Sequence, residues 1–465
     1  MIAQKYKNQF FLGGCAILFL ACSLLLYHAV PNASSHLDID SVGYDIIATH
    51  FADTHNLSDP RDMASAPIQP VGYPLFLGLI YASAGHDYAY VVFAQLLVLL
   101  MAGWILCAIA QQLFNRAVAL LSVALCLVTL GFFIYPQFLL AEVLCLFFIL
   151  GFFERFLSFM RTGLTNQLWQ AGLPLGISVL VKPMALLYIF CLLPVLIFYK
   201  HKKYKWVHAC LILTISFYAP IISYMSYNYY RYNRFALAPM TELNMYQCFL
   251  SKVIAHVDGV PVQQVLDNQL AFKGAHTFDS AGWDGAKKLF FKYVRQHPLA
   301  CVRVWLTNVT KTLVGLYSTQ LKVLLEPSIK GGDHSFFKIS GTYYERAMGY
   351  IMQGTTSAVV KTLSFFEVVW SIIRWMLVFI AFFVLLSRKY YMICWLFGSF
   401  IAQSAFVTGM DGCCRYRIMF EPLLIILAAV GIVVILAWIE SWRINEKSFF
   451  SRQRFGFFTQ CNTRK

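Results

Sequence analysis

The sequence is poor in charged residues. Asp, Glu, Lys and Arg together make up 13% of its 465 residues, against about a quarter in an ordinary soluble domain. The chain is also 59% hydrophobic, so it has too few polar side chains to cover a folded surface. This composition excludes a soluble globular protein and predicts an all-α protein that crosses a membrane several times.

Acidic residues are the scarcer kind of charge. The chain has 22 Asp and Glu against 37 Lys and Arg, a formal net charge of +15. Such an excess is typical of nucleic-acid-binding proteins, but here no soluble fold accompanies it. Membrane proteins collect Lys and Arg in their cytoplasmic loops, and this explanation is sufficient. We therefore expect no nucleic-acid partner.

The sequence also lacks the cysteine and histidine spacings of metal sites and redox motifs. Its 13 Cys include no C-x-x-C pair, and most lie inside apolar runs, where a thiol packs as a small hydrophobic group. We find no internal repeat and no low-complexity segment. The sequence therefore predicts neither a metal nor another cofactor.

Ten apolar runs can cross the hydrocarbon core of a bilayer, which takes about 20 helical residues. Two further tracts, 73–84 and 304–325, are too short or too interrupted to span, and we predict that they form helices lying in the membrane interface. The fifth and sixth runs are short and contain prolines, so their boundaries are open. The predicted spans are 10–30, 88–114, 117–135, 137–157, 168–182, 183–199, 206–227, 366–386, 390–409 and 418–440.

Lys and Arg in the connections orient the chain. With the N-terminus in the cytoplasm, the inner loops and the basic tail at 441–465 hold most of these cations, whereas the short outer turns hold only Lys182, Arg415 and Arg417. The positive-inside rule then places both termini in the cytoplasm. We predict a transmembrane domain over 1–440 in the plasma membrane (in a bacterium, the inner membrane). Its two long external loops are 31–87 and 228–365.

Several ionisable residues fall at the outer ends of these spans. Glu142 lies one turn inside the fourth span, and Lys182 ends the fifth. A charged residue costs about 2.5–3.5 kcal/mol at the centre of a membrane and less near its edge, so the residues that are kept usually face a polar cavity or a partner. The others are Asp38 and Asp40 after the first span, Arg231 and Arg234 after the seventh, and Arg415, Arg417 and Glu421 at the tenth.

Each of these residues also has a plainer explanation. Lys182 could reach the interface along its own aliphatic chain, Glu142 could be a structural ion-pair partner, and Asp40 could cap a helix. Arg415 and Arg417 could be interfacial anchors. Their occurrence together on the outer face, however, runs against the positive-inside rule. Such cations can bind an anionic lipid head group, and a carboxylate beside them can act as the general base of a reaction there.

The order of these residues resembles the GT-C glycosyltransferases. The resemblance is to the branch that contains the protein O-mannosyltransferases (glycosyltransferase family 39) and the lipid A aminoarabinose transferase. Asp40-Ser41-Val42-Gly43-Tyr44 is similar to the family's opening in the first external loop, and 70–75 is similar to the interfacial helix that follows. Further similar segments are Leu140-Ala141-Glu142, Val181-Lys182-Pro183, 230–235, and Arg415-Tyr416-Arg417 with Glu421-Pro422.

The resemblance implies an inverting transfer of a hexose or pentose from a polyprenyl-phosphate donor, such as undecaprenyl phosphate sugar, to an acceptor hydroxyl outside the membrane. It implies that Asp40 is the catalytic base. Asp38 stays an alternative, because the opening here departs from the family's Asp-Glu pair. The resemblance further implies donor-phosphate binding by Lys182, Arg231, Arg234, Arg415 and Arg417, and substrate positioning by Glu142, Tyr44, Tyr73 and Glu421.

The acceptor is not readable from the sequence and could be a glycan, a glycolipid or a protein. We expect it to be recognised by the two external loops or by a partner, since no large soluble domain follows the last predicted span. The alternative function is a flippase for lipid head groups or a small-anion transporter. A transporter would carry its charges near the middle of the bilayer, whereas here they gather at one surface, which favours an enzyme.

Overall fold

The structure, a computed structural model, describes residues 2–63, 66–198, 206–238, 244–268, 280–326, 336, 339–353, 355 and 357–444. The regular structure of these residues is entirely helical. The last part of the predicted cytoplasmic tail, 445–465, and the predicted inner loop at 199–205 lie outside the described residues.

The α-helices of the described residues are α1 (Ile2–Ala29), α2 (Ile39–Thr54), α3 (Gly72–Ala84), α4 (Tyr88–Leu113), α5 (Arg116–Cys126), α6 (Gly131–Ile134), α7 (Glu142–Thr162), α8 (Thr165–Val181), α9 (Tyr188–Phe198), α10 (Trp206–Tyr232), α11 (Ser251–Asp258), α12 (Val262–Asn268), α13 (Ser280–Gln296), α14 (Pro298–Val314), α15 (Ser318–Leu325), α16 (Tyr343–Met352), α17 (Ala358–Ser387), α18 (Tyr391–Thr408) and α19 (Glu421–Ile444). Short 3-10 helices occupy Ala33–His36, Tyr135–Gln137, Pro183–Leu187 and Cys414–Met419, and Asn244–Leu250 is a π-helical turn.

Seven helices of the described residues are long and apolar enough to cross a membrane: α1, α4, α7, α10, α17, α18 and α19. An eighth span would join α5 to α6 and Tyr135–Gln137 across a 60° bend. The predicted spans 168–182 and 183–199 correspond to α8, of 17 residues, and to Pro183–Leu187 continued by α9, of 11 residues. Every predicted run therefore contains a helix or a bent pair, and the all-α polytopic prediction is confirmed.

The two predicted external loops are helical over most of their described residues. The tract 73–84 forms α3, and the tract 304–325 forms most of α14 and all of α15, which separate at Gly315. Both predicted helices are therefore present, while their depth in a bilayer stays a prediction. In the first loop α3 lies along α2, and Gly78 permits this close packing because a Cβ there would lie 2.6 Å from the ring of Phe51.

The last span is joined to α17 by a buried ion-pair network of Arg374, Arg417 and Glu421. The Glu421 carboxylate accepts hydrogen bonds from the Arg374 guanidinium and from Arg417 Nε, the latter at 2.8 Å. The Tyr317 hydroxyl donates to the same carboxylate at 2.8 Å, and Arg417 Nη1 donates to the Gly315 carbonyl at 2.7 Å. Because charges are costly to remove from water, each member is stable here only through these partners.

A further buried carboxylate ties the second loop to the same region. Glu367 of α17 accepts the backbone N–H groups of Tyr317 at 2.6 Å and Ser318 at 2.7 Å. These groups begin α15, where the first N–H groups of a helix have no partner within the helix itself. The carboxylate supplies that partner, so the start of α15 is held against α17 at the position where Tyr317 reaches Glu421.

We expect Arg374→Met to destabilise the protein strongly. The change leaves the buried Glu421 carboxylate without one of its two cations, and breaking a buried ion pair costs about 3–5 kcal/mol. The measurement is the apparent Tm of the purified full chain in detergent. Lys361→Met, which removes a partly exposed cation from the same helix, is the matched control and should leave Tm nearly unchanged. An equal Tm for both variants would contradict the role of the network.

Candidate active site

Five ionisable residues from four separate parts of the chain meet at one end of the helical bundle. They are Asp38, Asp40, Glu142, Lys182 and Arg415, which we call the carboxylate–cation cluster. The Arg415 guanidinium lies at its centre, with Nη2 2.5 Å from Asp40 Oδ2, Nη1 3.3 Å from Asp38 Oδ2 and Nε 3.0 Å from Glu142 Oε1. Lys182 Nζ donates to the same Glu142 oxygen at 2.5 Å. One guanidinium thus bridges three carboxylates.

The cluster is closed at one side and open at the other. The Glu142 side chain has no exposed surface, and those of Lys182 and Arg415 are 10% exposed. The side chains of Asp38 and Asp40 are 24% and 27% exposed. The two aspartates therefore form the edge that a substrate could reach, and Glu142 forms the closed base behind the cations.

Asp40 is held in place by the packing of α2. It lies in the first turn of that helix, where the partial positive charge of the helix N-terminus favours a carboxylate. Gly43 permits the chain to pass closely here, because a Cβ would lie 2.0 Å from Gln69 Nε2. One turn on, the buried Tyr44 ring meets the Tyr73 ring edge-on, with 5.0 Å between centroids. This contact fixes the rotation of α2, and with it the direction of Asp40.

Tyr44 and Tyr73, which the resemblance suggested as substrate-positioning residues, are both buried. The Tyr73 hydroxyl donates to Gln95 Oε1 at 3.1 Å, and Gln95 Nε2 in turn donates to the carbonyls of Pro136 and Phe138 at 3.0 and 2.8 Å. In this structure the two rings hold α2 and α3 against α4. A role for them in positioning a substrate stays a prediction.

Lys182 and Glu142 lie at the ends of adjacent helices. Lys182 follows α8 with φ −143° and ψ 112°, the extended conformation that a residue before proline favours. Its side chain can therefore turn away from the helix toward Glu142, the first residue of α7. Gly72 brings α3 against the same corner, since a Cβ there would lie 2.9 Å from the Leu180 carbonyl oxygen.

Arg415 lies in the 3-10 helix between α18 and α19, and the residue after it completes the site. The Tyr416 ring lies 4.8 Å from Lys182 Nζ and 5.4 Å from the Arg415 guanidinium carbon, within range of cation–π attraction. Its hydroxyl donates to Asp411 at 2.8 Å. Lys252, from the predicted second external loop, donates to the Asp411 carbonyl at 2.6 Å. This loop therefore contributes to the wall of the site.

The electrostatics of Asp40 are set by its neighbours. Burial raises the pKa of the Asp40 carboxyl, but the positive charges of Arg415 and Lys182, with the hydrogen bond from Arg415, outweigh burial and hold that pKa below its usual range. Asp40 is therefore ionised at neutral pH and able to accept a proton, although it is a weak base while the guanidinium is paired with it. An anion that drew Arg415 away would raise the pKa of Asp40.

The remaining predicted site residues lie elsewhere. Arg417 and Glu421 belong to the buried ion-pair network, where Arg417 is 1% exposed and its donors are directed to internal acceptors. Arg231 is exposed and Arg234 half-buried at the end of α10. The contacts that define the carboxylate–cation cluster involve neither of these two.

Sequence reasoning missed several residues that the structure places at these sites. Tyr416 was part of a noted motif, but only its neighbours were chosen. No pattern marked Gln320, whose amide lies 3.4 Å from Asp38 Oδ2, or Lys252 and Asp411, because each is a single polar residue in a segment without a motif. Arg374 had a signal that was overlooked, since an Arg in a predicted span is costly and needs a partner.

No protein-family model and no curated protein matches the sequence. Two solved structures of the archaeal oligosaccharyltransferase AglB from Archaeoglobus fulgidus are similar to this chain. The one in complex with an inhibitory peptide and a dolichol-phosphate has a TM-score of 0.52 at 11% identity, over 99% of this chain and 54% of that chain. The one tethered with an acceptor peptide has a TM-score of 0.55 at 12% identity, over 98% and 53%. The chain thus spans about half the length of these proteins.

A structure of ArnT from Cupriavidus metallidurans bound to undecaprenyl phosphate is also similar, with a TM-score of 0.41 at 11% identity over 92% of this chain and 79% of that chain. That TM-score is too low for a structural argument. The likeness to AglB, at such low identity, concerns the fold alone. It confirms the predicted all-α polytopic architecture: this chain has the fold of the AglB structures over about half of their length.

Proposed function

We propose that this protein is an inverting glycosyltransferase that moves a sugar from a polyprenyl-phosphate donor to an acceptor hydroxyl at the outer face of the membrane. The observation that carries the proposal is the carboxylate–cation cluster. Two cations and three carboxylates, brought together from distant segments, lie at one end of a GT-C fold, with Asp38 and Asp40 toward the open side. The AglB structure in complex with a dolichol-phosphate supports a lipid phosphate as the kind of ligand.

In this proposal the donor phosphate is bound by Lys182 and Arg415. A guanidinium presents paired N–H donors that match phosphate oxygens. Positive groups placed where the leaving phosphate gains charge stabilise the transition state more than the ground state. We assign Arg417 a structural role in the buried ion-pair network, because its donors are already used there. A contact of Arg231 or Arg234 with the donor stays a prediction.

Asp40 is the proposed general base. It removes the proton from the acceptor hydroxyl, the acceptor oxygen forms a bond to the anomeric carbon, and the bond from that carbon to the phosphate oxygen breaks. The polyprenyl phosphate leaves with the bonding electron pair, and the anomeric configuration is inverted. Asp38, which also faces Arg415 and is contacted by Gln320, is the other candidate for this role.

Glu142 acts on the donor through its neighbours. It has no exposed surface and lies within 3.0 Å of both Lys182 and Arg415. We propose that it holds the two cations at the separation that a phosphate group requires. Removing Glu142 would leave two like charges side by side without their shared counter-ion.

Asp40→Asn should lower the rate of transfer by about 10²–10⁴-fold, the usual contribution of a general base, while membrane insertion and Tm stay normal. The measurement is consumption of a polyprenyl-phosphate sugar by the purified protein in detergent, where no gradient exists and a transporter would show no turnover. Asp53→Asn, an exposed carboxylate on the same helix, is the matched control. Full activity in Asp40→Asn with loss in Asp38→Asn would move the base to Asp38, and full activity in both would end the proposal.

The pH dependence of kcat/KM should change when a cation beside Asp40 is removed. In the free protein Lys182 and Arg415 lower the pKa of Asp40, so the acid limb of kcat/KM, where Asp40 takes up its proton, lies below the usual range of an aspartate. Lys182→Gln removes one of these cations, so the pKa of Asp40 rises and the acid limb moves to higher pH. An acid limb that stays in place in this variant would show that Asp40 is not the group that titrates.

Reporter fusions test the proposed orientation. Alkaline phosphatase, which is active only outside the cytoplasm, should be active when fused after Gly85 or Asn233, at the end of the bundle that carries the cluster. It should be inactive when fused after Gly163 or at the C-terminus. The reverse pattern would place the carboxylate–cation cluster at the cytoplasmic face and contradict an external reaction.

A further inference from the structure

The second external loop carries a strongly basic segment that the proposed transfer does not use. Residues 285–325 contain no Asp and no Glu. In a loop this long the positive-inside rule does not determine where Lys and Arg lie, and a run of cations without carboxylates suits an anionic partner. The cations of this segment are Lys287, Lys288, Lys292, Arg295, Arg303, Lys311 and Lys322.

The cations of α13 face outward. Lys287, Lys288, Lys292 and Arg295 are exposed, whereas Phe290 between them is buried against the neighbouring helices of the loop. The helix is therefore fixed to the protein by one face and presents a dense positive surface on the other.

The next helix presents an apolar stripe beside these cations. On α14 the side chains of Leu299, Val302 and Leu306 are 84%, 52% and 52% exposed. Their spacing of three and four residues places them on one face of the helix, and Arg303 is exposed beside them. An exposed apolar stripe bordered by cations is the pattern of a helix that lies in the surface of an anionic membrane.

Another face of α14 is hydrogen-bonded to the end of α18. Trp305 Nε1 donates to the Phe406 carbonyl at 3.0 Å, and the Asn308 amide donates to the Gly409 carbonyl at 2.9 Å. These carbonyls lie at the last turn of α18 and just beyond it, and α18 is one of the candidate membrane spans. The helix α14 is therefore fixed across the end of a candidate span, which is where a membrane surface would lie under the predicted topology.

We infer that α13 and α14 form a platform that binds anionic phospholipids of the membrane surface. The stripe Leu299, Val302 and Leu306 would enter the acyl boundary, and the cations of α13 would contact lipid phosphates. The platform also supports the site, because α11, which carries Lys252, packs against both helices through one hydrophobic cluster. This inference does not depend on the proposed sugar transfer, since its ligand is the bilayer itself.

Photo-crosslinking of the full-length protein tests the inference. The photoreactive residue p-benzoylphenylalanine in place of Leu299 is irradiated in nanodiscs of equal parts phosphatidylcholine and phosphatidylglycerol, and mass spectrometry identifies the adduct. We expect phosphatidylglycerol adducts to exceed phosphatidylcholine adducts by about tenfold, since each nearby cation favours anionic lipid several-fold. The same residue in place of Trp104, a 70% exposed position on the span α4, is the control and should capture both lipids equally.

The charge variant completes the test. Lys287→Gln, Lys288→Gln and Lys292→Gln together change exposed side chains only, and should bring the two lipid adducts at position 299 toward equal amounts while those at position 104 stay as they were. Equal capture of the two lipids in the parent protein would overturn the inference. So would an adduct with a protein, or capture of no lipid at all at position 299.

Discussion

A charge that leaves water needs a partner, and this constraint shapes the end of the bundle where the candidate site lies. Glu142 is fully buried at the start of α7, so it is stable only because Lys182 and Arg415 both reach it. Those two cations come from the end of α8 and from the turn before α19. The same pairing therefore holds the ends of α7, α8 and α19 together. Asp40 and Asp38 then attach the start of α2 to that framework through Arg415.

Two arginines only two residues apart serve different groups of charges. Arg415 and Arg417 lie in one 3-10 helix, in which three residues make a turn, so their side chains leave it in different directions. Arg415 reaches the partly exposed carboxylates of Asp38 and Asp40 and the buried carboxylate of Glu142 on α7. Arg417 reaches Glu421 and Tyr317, where all the partners are buried. The first group has an open side for a ligand, and the second has its hydrogen-bonding capacity used inside the protein.

Much of the fold and the core of the site could be predicted, because the signals are local. Apolar runs mark the helices whatever their packing, and ionisable residues at the ends of predicted spans marked Asp40, Glu142, Lys182 and Arg415. Which side chains pair with each other, however, depends on tertiary packing and cannot be read from neighbouring residues. The sequence grouped Arg417 with Arg415 because they are neighbours in the chain, while tertiary packing separates them. The packing of Tyr44 against Tyr73, which orients α2, also could not be predicted from the sequence, because the two rings come from different helices.

Under the proposed function, the different exposure of the carboxylates in the cluster links donor binding to proton transfer. Three carboxylates compete for two cations, and an incoming phosphate must displace one of them. Glu142 cannot leave, because it is fully buried and would lose its only compensation for the lost water. Asp40 is 27% exposed and can be rehydrated. The phosphate therefore takes Arg415 from Asp40, and the loss of that cation raises the pKa of the carboxylate. The base becomes stronger once the donor is in place, so that an acceptor hydroxyl is activated only beside a bound sugar.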